Sequence, residues 1–165
     1  MAIRLLTITH KLPSWIKDGY TTYAKRLTSP FNITLIEIPA EKRSVNADVK
    51  RLVDKEGEKI LALIKPNHYV VALDSHGSAW TTEQFAAKLE NWLAVGHTLD
   101  LIVGGPDGLA DACLQRANEK WSLSPLTFPH HLDALYLPSR FFVPLVFTKN
   151  ILIIVSASHC IFFYA

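Results

Sequence analysis

The chain has 165 residues, 49% of them hydrophobic and 19% charged, and a formal net charge of +2. That length suits one domain with a sizeable core, and the composition excludes a disordered chain. The near-neutral balance gives no broad electrostatic footprint for nucleic acid, although basic residues cluster locally at Lys42-Arg43 and Lys50-Arg51. Cys113 and Cys160 lie too far apart for a metal or redox motif. A reduced, cytoplasmic chain is the simplest reading, and the N-terminus lacks the long apolar core of a signal peptide.

Taken in chain order, residues 3–8 read as a buried strand. Pro13 and Ser14 open a helix with Trp15, Ile16, Tyr20, Tyr23 and Leu27 at helical spacing, and Ser29-Pro30 ends it. Residues 32–38 are a β-branched second strand, and the polar stretch 41–46 reads as a mobile loop. A helix over 47–64 carries Val49, Leu52, Val53, Ile60 and Leu63 on one face. A third strand over 68–73 ends at Asp74 and a Ser75-His76-Gly77-Ser78 turn. Thr81 or Thr82 caps a helix to about residue 95, with Glu83 in its first turn and Gly96 as C-cap. A fourth strand over 99–103, a helix over 109–120 and a fifth strand or extended loop over 122–127 follow.

Strands alternating with helices predict an α/β fold with a mainly parallel sheet and helices on both faces. Ligands in such sheets bind outside the carboxyl ends of the strands. The loops after Leu73, Val103 and Leu126 belong at such ends. The first informative loop is Gly104-Gly105-Pro106-Asp107-Gly108, which is neither G-x-G-x-x-G nor a phosphate-binding P-loop. Its glycines fit either close backbone approach to a ligand or a tight turn with Pro106 and Asp107 starting a helix. The second is the proline-containing segment Leu123-Ser124-Pro125-Leu126-Thr127-Phe128, which suits a ligand loop and a core segment alike. Asp74 fits a catalytic carboxylate or, more simply, a helix cap. His130 and His131 fit a base, an RNA contact or solvated surface. Lys42 and Arg43 fit phosphate contacts or a solvated face. Trp15, Trp80, Trp92 and Trp121 are assigned to the core.

Several motifs in one order carry a specific resemblance. These are Leu35-Ile36-Glu37-Ile38-Pro39-Ala40 with Lys42-Arg43, Asn46-Ala47-Asp48, Asp54-Lys55-Glu56-Gly57, Val71-Ala72-Leu73-Asp74, Ile102-Val103 through the glycine loop to Leu109, and Trp121-Ser122-Leu123-Ser124 through Leu126-Thr127 to Pro129-His130. Over residues 1–132 the chain resembles the RlmH (YbeA) family, small bacterial methyltransferases of the SPOUT class with an α/β trefoil knot. The resemblance implies N3-methylation of a pseudouridine in 23S rRNA of the assembled ribosome, S-adenosylmethionine as cofactor, and a homodimer without metal. It also implies that Leu73, Gly104 and Leu123, Ser124, Pro125, Leu126, Thr127 and Phe128 line the cofactor pocket. Lys42 and Arg43 become RNA contacts and His130 the candidate catalytic residue.

After Leu132 the resemblance stops. The family continues with a helix resembling V-R-V-L-L-A-E-Q-L-Y-R-A-W-S-I and closes near H-P-Y-H-R. This chain has Asp133-Ala134-Leu135-Tyr136-Leu137-Pro138-Ser139-Arg140-Phe141-Phe142 and an apolar tail to Ala165, with Pro138 and Pro144 expected to interrupt a helix. Reading the last base of each codon with the first two of the next restores the family pattern in register. Asp133 into Ala134 permits Arg, the following junctions permit V-L-L-A-E-Q-L, and the junctions from Asn150 to Val155 permit H-P-Y-H-R. Pro144 into Leu145 cannot supply the Trp. Residues 133–165 are therefore expected to be the product of a one-base frameshift, leaving a weakly folded and poorly active chain. Two other classes stand beside the enzyme: a non-catalytic remnant that binds RNA or the ribosome, and a membrane-tethered α/β protein. The tail is interrupted by Lys149, Asn150 and His159, which argues against a span.

Overall fold

The computed structural model describes residues 2–27, 31–44, 47–124, 134, 136–139 and 141. The order of elements is β1 (Ala2–Thr9), α1 (Ser14–Ala24), β2 (Asn32–Pro39), α2 (Val49–Leu63), β3 (Tyr69–Ala79), α3 (Thr82–Val95), β4 (Leu99–Val103), α4 (Asp111–Arg116) and β5 (Glu119–Ser122). The five strands form one parallel sheet in the order β2-β1-β4-β3-β5.

The alternation of side chains along each strand builds two cores. On one face Ile3, Leu5, Val71, Leu99, Leu101 and Val103 pack with Ile16 of α1 and Phe85, Leu89 and Trp92 of α3. On the other, Leu6, Ile8, Val70, Ala72 and Ile102 pack with Ile60 of α2 and Cys113 of α4. Helices thus cover both faces, and β4, buried along its whole length, sits in the middle of the sheet as a parallel interior strand does. Gly57 lets α2 and α4 meet: a Cβ there would lie 2.5 Å from the Ala110 Cβ.

Helix ends follow their sequence signals. Thr81 and Gln84 form a reciprocal capping box on α3, and Gly96 closes that helix at φ 73°. Asp48 caps α2 by accepting from the Arg51 N–H.

Four expectations are corrected. The segment 75–78 is not a turn but continues β3, with a register shift between Leu73 and Ser78 where β3 pairs with β5. Gly77 permits this, because a Cβ would lie 2.7 Å from the Trp121 backbone nitrogen. The helix expected over 109–120 is six residues long, and its last residues form β5 instead. The Asn118 N–H donates to the Val70 carbonyl at 2.8 Å, so sheet pairing takes over there from helix continuation. Trp80, Trp92 and Trp121 share an aromatic cluster with Phe85, but Trp15 is 57% exposed because Ile16 carries the buried side of α1. Pro138 lies among helical residues, and Ala134, Leu137 and Phe141 are buried in the first core. The ring's fixed φ is compatible with helical backbone, and the burial of Ala134, Leu137 and Phe141 offsets the lost donor and the crowding of the carbonyl four residues back. Pro144 lies outside the described residues.

Candidate functional site

The carboxyl ends of β4 and β5 lie on either side of β3. In the parallel register Leu73 lies opposite Val103 on one side and Trp121 on the other. Gly104, which follows β4, and Leu123, which follows β5, therefore lie on either side of β3, which itself runs on past Leu73 to Ala79. Leu73 and Leu123 are half-buried and pack on the first core, and Gly104 is buried. The Ser122 hydroxyl donates to the Ser124 carbonyl at 3.2 Å, which fixes the start of the segment after β5. Pro125, Leu126, Thr127, Phe128 and His130 lie outside the described residues.

The glycine loop is closed on itself. The Gly108 N–H donates to the Gly105 carbonyl at 3.0 Å, and Gly108 takes φ 87°, where a side chain would be strained. A Cβ on Gly104 would lie 2.3 Å from the Gly108 carbonyl carbon. Glycine at 104 is thus required by the loop's own return. Of the two readings of this loop, the tight turn accounts for Gly104, although α4 starts later, at Asp111.

Beside the loop stands an ionic cluster. Arg43 Nη1 donates to Glu56 Oε1 at 2.9 Å, Nη2 to Glu56 Oε2 at 3.2 Å, and Nε to Asp107 Oδ2 at 2.8 Å. Glu56 is 2% exposed and also accepts from the Glu41 N–H at 2.8 Å. Glu56, and to a smaller extent Asp107, raises the Arg43 guanidinium further above its ordinary pKa. The polar stretch after β2 is therefore anchored at Glu41 and Arg43, against the expectation of a mobile loop; Lys59 adds an ion pair to Glu41 at 2.6 Å. Lys42 is exposed. Residues 45 and 46 lie outside the described residues.

Asp74 caps no helix. Its Oδ1 accepts from the His76 N–H two residues on, at 3.1 Å, a local turn-like bond within β3.

Sequence reasoning missed two acidic residues. Glu56 is a carboxylate on the buried stripe of α2, beside Val53 and Ile60, and a polar residue in such a stripe is the signal that was available. Asp100 is fully buried within the apolar run of β4, at the opposite end of the sheet. It accepts from Arg4 Nε and Nη2, both at 2.6 Å, and lies 2.7 Å from His68 Nδ1. Among the described residues, no group of three His, Cys, Asp or Glu side chains is arranged to hold a metal ion. No described helix is long and apolar enough to cross a membrane.

The family model described as "Predicted SPOUT methyltransferase" matches residues 1–138, and the chain belongs to that family. Two curated relatives carry the name ribosomal RNA large subunit methyltransferase H. The one from Pseudomonas putida is 42% identical over 142 residues, covering 86% of this chain and 92% of the relative. The one from Hahella chejuensis is 44% identical over the same length, covering 86% and 91%. At that identity and coverage the chain is a member of the large subunit methyltransferase H branch. Solved structures share the fold at low identity. A methylase-family protein of Haemophilus influenzae superposes with a TM-score of 0.53 at 11% identity, covering 90% of this chain and 68% of that one. One from Neisseria gonorrhoeae gives 0.50 at 15%, covering 86% and 81%.

Proposed function

We propose that this chain is an S-adenosylmethionine-dependent methyltransferase acting on N3 of a pseudouridine in 23S rRNA of the assembled ribosome. The observation that carries the reading is the 42% identity to ribosomal RNA large subunit methyltransferase H over 92% of that relative. The site chemistry agrees. Leu73 on β3 and Leu123 just after β5 offer apolar walls for a flat ring, and the buried Gly104 after β4 offers backbone groups on the other side of Leu73. The bound cofactor would supply an electrophilic methyl group on its sulfonium. The chain's part is to hold that methyl in line with N3 and to accept the N3 proton. Leu73, Gly104 and Leu123 through Phe128 form the pocket, His130 is the proposed proton acceptor, and Lys42 is the exposed cation offered to RNA phosphate. The trefoil knot, the homodimer and a cytoplasmic location belong to the same proposal.

Purified chain is mixed with methyl-labelled cofactor and ribosomes lacking the modification. Label at N3 of a 23S pseudouridine is expected. Label elsewhere, or none despite cofactor binding both in this chain and in one with the reading frame restored from Leu132 onward, overturns the reading.

The loss of the quoted family motifs after Leu132 supports a second reading of the tail, although the family match runs to residue 138: residues 133–165 arise from a one-base frameshift and replace the family's C-terminal helix and basic end. Resequencing the gene across Pro129 to Ala165 tests it. An intact frame without compatible codons overturns it. With that frame confirmed, co-sedimentation with ribosomes without methyl transfer marks a binding remnant, and partition into membranes marks a tethered protein.

A further inference from the structure

Among the described residues, the guanidinium of Arg43 ties the glycine loop to the rest of the fold. Within the loop, the turn is closed by one backbone hydrogen bond between Gly105 and Gly108. Its tip residue Asp107 is 34% exposed at its side chain, and the side-chain hydrogen bond it accepts comes from Arg43 Nε. Arg43 in turn is seated on Glu56, a carboxylate with a 3% exposed side chain, through both of its terminal nitrogens. Gly105 lies directly against this pair: a Cβ there would be 3.2 Å from Glu56 Oε2 and 3.3 Å from Arg43 Nη2. One planar fork thus connects α2, the stretch after β2 and the loop after β4. Its nitrogens are spent on two carboxylates and on the Glu41 carbonyl, at 3.1 Å, with little left for a phosphate.

We propose that Arg43 is a positioning residue for cofactor binding: seated on the buried Glu56, it holds Asp107 and so fixes the backbone of residues 104–108 against the pocket. The inference rests on the reading of that pocket as the S-adenosylmethionine site. Its physical content is preorganisation. A loop with three glycines has many alternative conformations, and ordering it at the moment of binding would be subtracted from affinity. A fork reaching two carboxylates at once removes that cost beforehand. Lysine, a point donor, cannot span both.

The test is calorimetric titration of S-adenosylmethionine into the full chain and its variants, with thermal unfolding and amide hydrogen exchange in parallel. Asp107→Ala should weaken binding about tenfold, Asp107→Asn should recover part of it by keeping the turn preference and a neutral acceptor, and neither should change Tm. Arg43→Lys should match Asp107→Ala. The double variant should be no weaker than either single one, because both remove the same contact. Exchange should rise at residues 104–108. Wild-type affinity in all three single variants overturns the inference, as does Arg43→Lys losing ribosome binding with cofactor affinity intact. No binding by the unaltered chain overturns the reading of the pocket and this inference with it.

Discussion

Cys113 shows how burial decides what a reactive group can do. Its thiol is fully buried between α2 and α4, 3.6 Å from the Gly57 carbonyl, and burial pushes its pKa up to about 11. The thiolate is the nucleophile, so this cysteine is inert at neutral pH. In a Cys160→Ser background, Ellman's reagent at pH 8 should react no faster than the chain unfolds; rapid stoichiometric reaction would contradict the burial. The pH dependence has a definite sign. The unfolded thiol ionises near its ordinary value and the folded one only about two units higher. Its contribution to stability is therefore complete below the ordinary thiol pKa and is lost as pH rises toward 11. Arg4 and Asp100 make the complementary case of a buried charge. The Arg4 fork grips both oxygens of a carboxylate with no exposed surface, and also donates to the Leu63 carbonyl at 2.9 Å. Arg4→Ala leaves Asp100 with His68 alone and should cost about 3 kcal/mol in denaturant unfolding. A loss under about 1 kcal/mol would mean that His68 and relaxation compensate the charge.

Elements were legible in the sequence where their signal was local. The apolar run of β4, a threonine cap at 81 or 82 and the Gly96 C-cap each carry their cause within a few residues, and the structure shows the strand, the cap at Thr81 and the glycine. The extension of β3 through Gly77 and the shortness of α4 were not legible, because both depend on β5 lying beside β3. That pairing joins Val71 to Glu119 and Leu73 to Trp121, far apart in the chain. The site divides in the same way. Gly104 announces a tight turn by itself, whereas the tie from Arg43 to Asp107 spans 64 residues and has no local trace. Gly57 is the intermediate case, a glycine inside a helix with no local use. The close approach of α2 and α4 explains it, and the explanation is testable. Gly57→Ala gains about 1 kcal/mol of helix propensity and loses about 1–3 kcal/mol to overpacking against Ala110. The expected net is a loss of about 1 kcal/mol, recovered in part by adding Ala110→Gly, since glycine is acceptable at that N-cap position. A single variant more stable than the parent would show that α4 moves aside freely.

At the scale of the molecule the question is what the C-terminal segment, proposed to be frameshifted, does. Ala134, Leu137 and Phe141 are spaced three and four apart, as one face of a helix requires, and all three are buried. The Phe141 ring meets Phe85 edge-on at a centroid distance of 5.0 Å, beside Trp121 and Trp92. The segment therefore closes the core that α1 and α3 build on one face of the sheet. Closing a core needs only apolar residues at helical spacing, and a shifted reading frame can leave those in place. A substrate site needs particular side chains at particular points, and a shifted frame replaces them. Stability and methyl transfer should consequently separate. Phe141→Ala should cost about 3 kcal/mol, measured by denaturant unfolding. An unchanged midpoint would mean that the segment adds nothing to the core. Restoring the proposed frame from Leu132 onward should leave cofactor affinity within a factor of about two, because the proposed pocket residues Leu73, Gly104 and Leu123 precede that point, while methyl transfer to ribosomes rises. Equal transfer by both chains would show that the basic end of the family is dispensable here, and that the apolar tail supports the reaction as it stands.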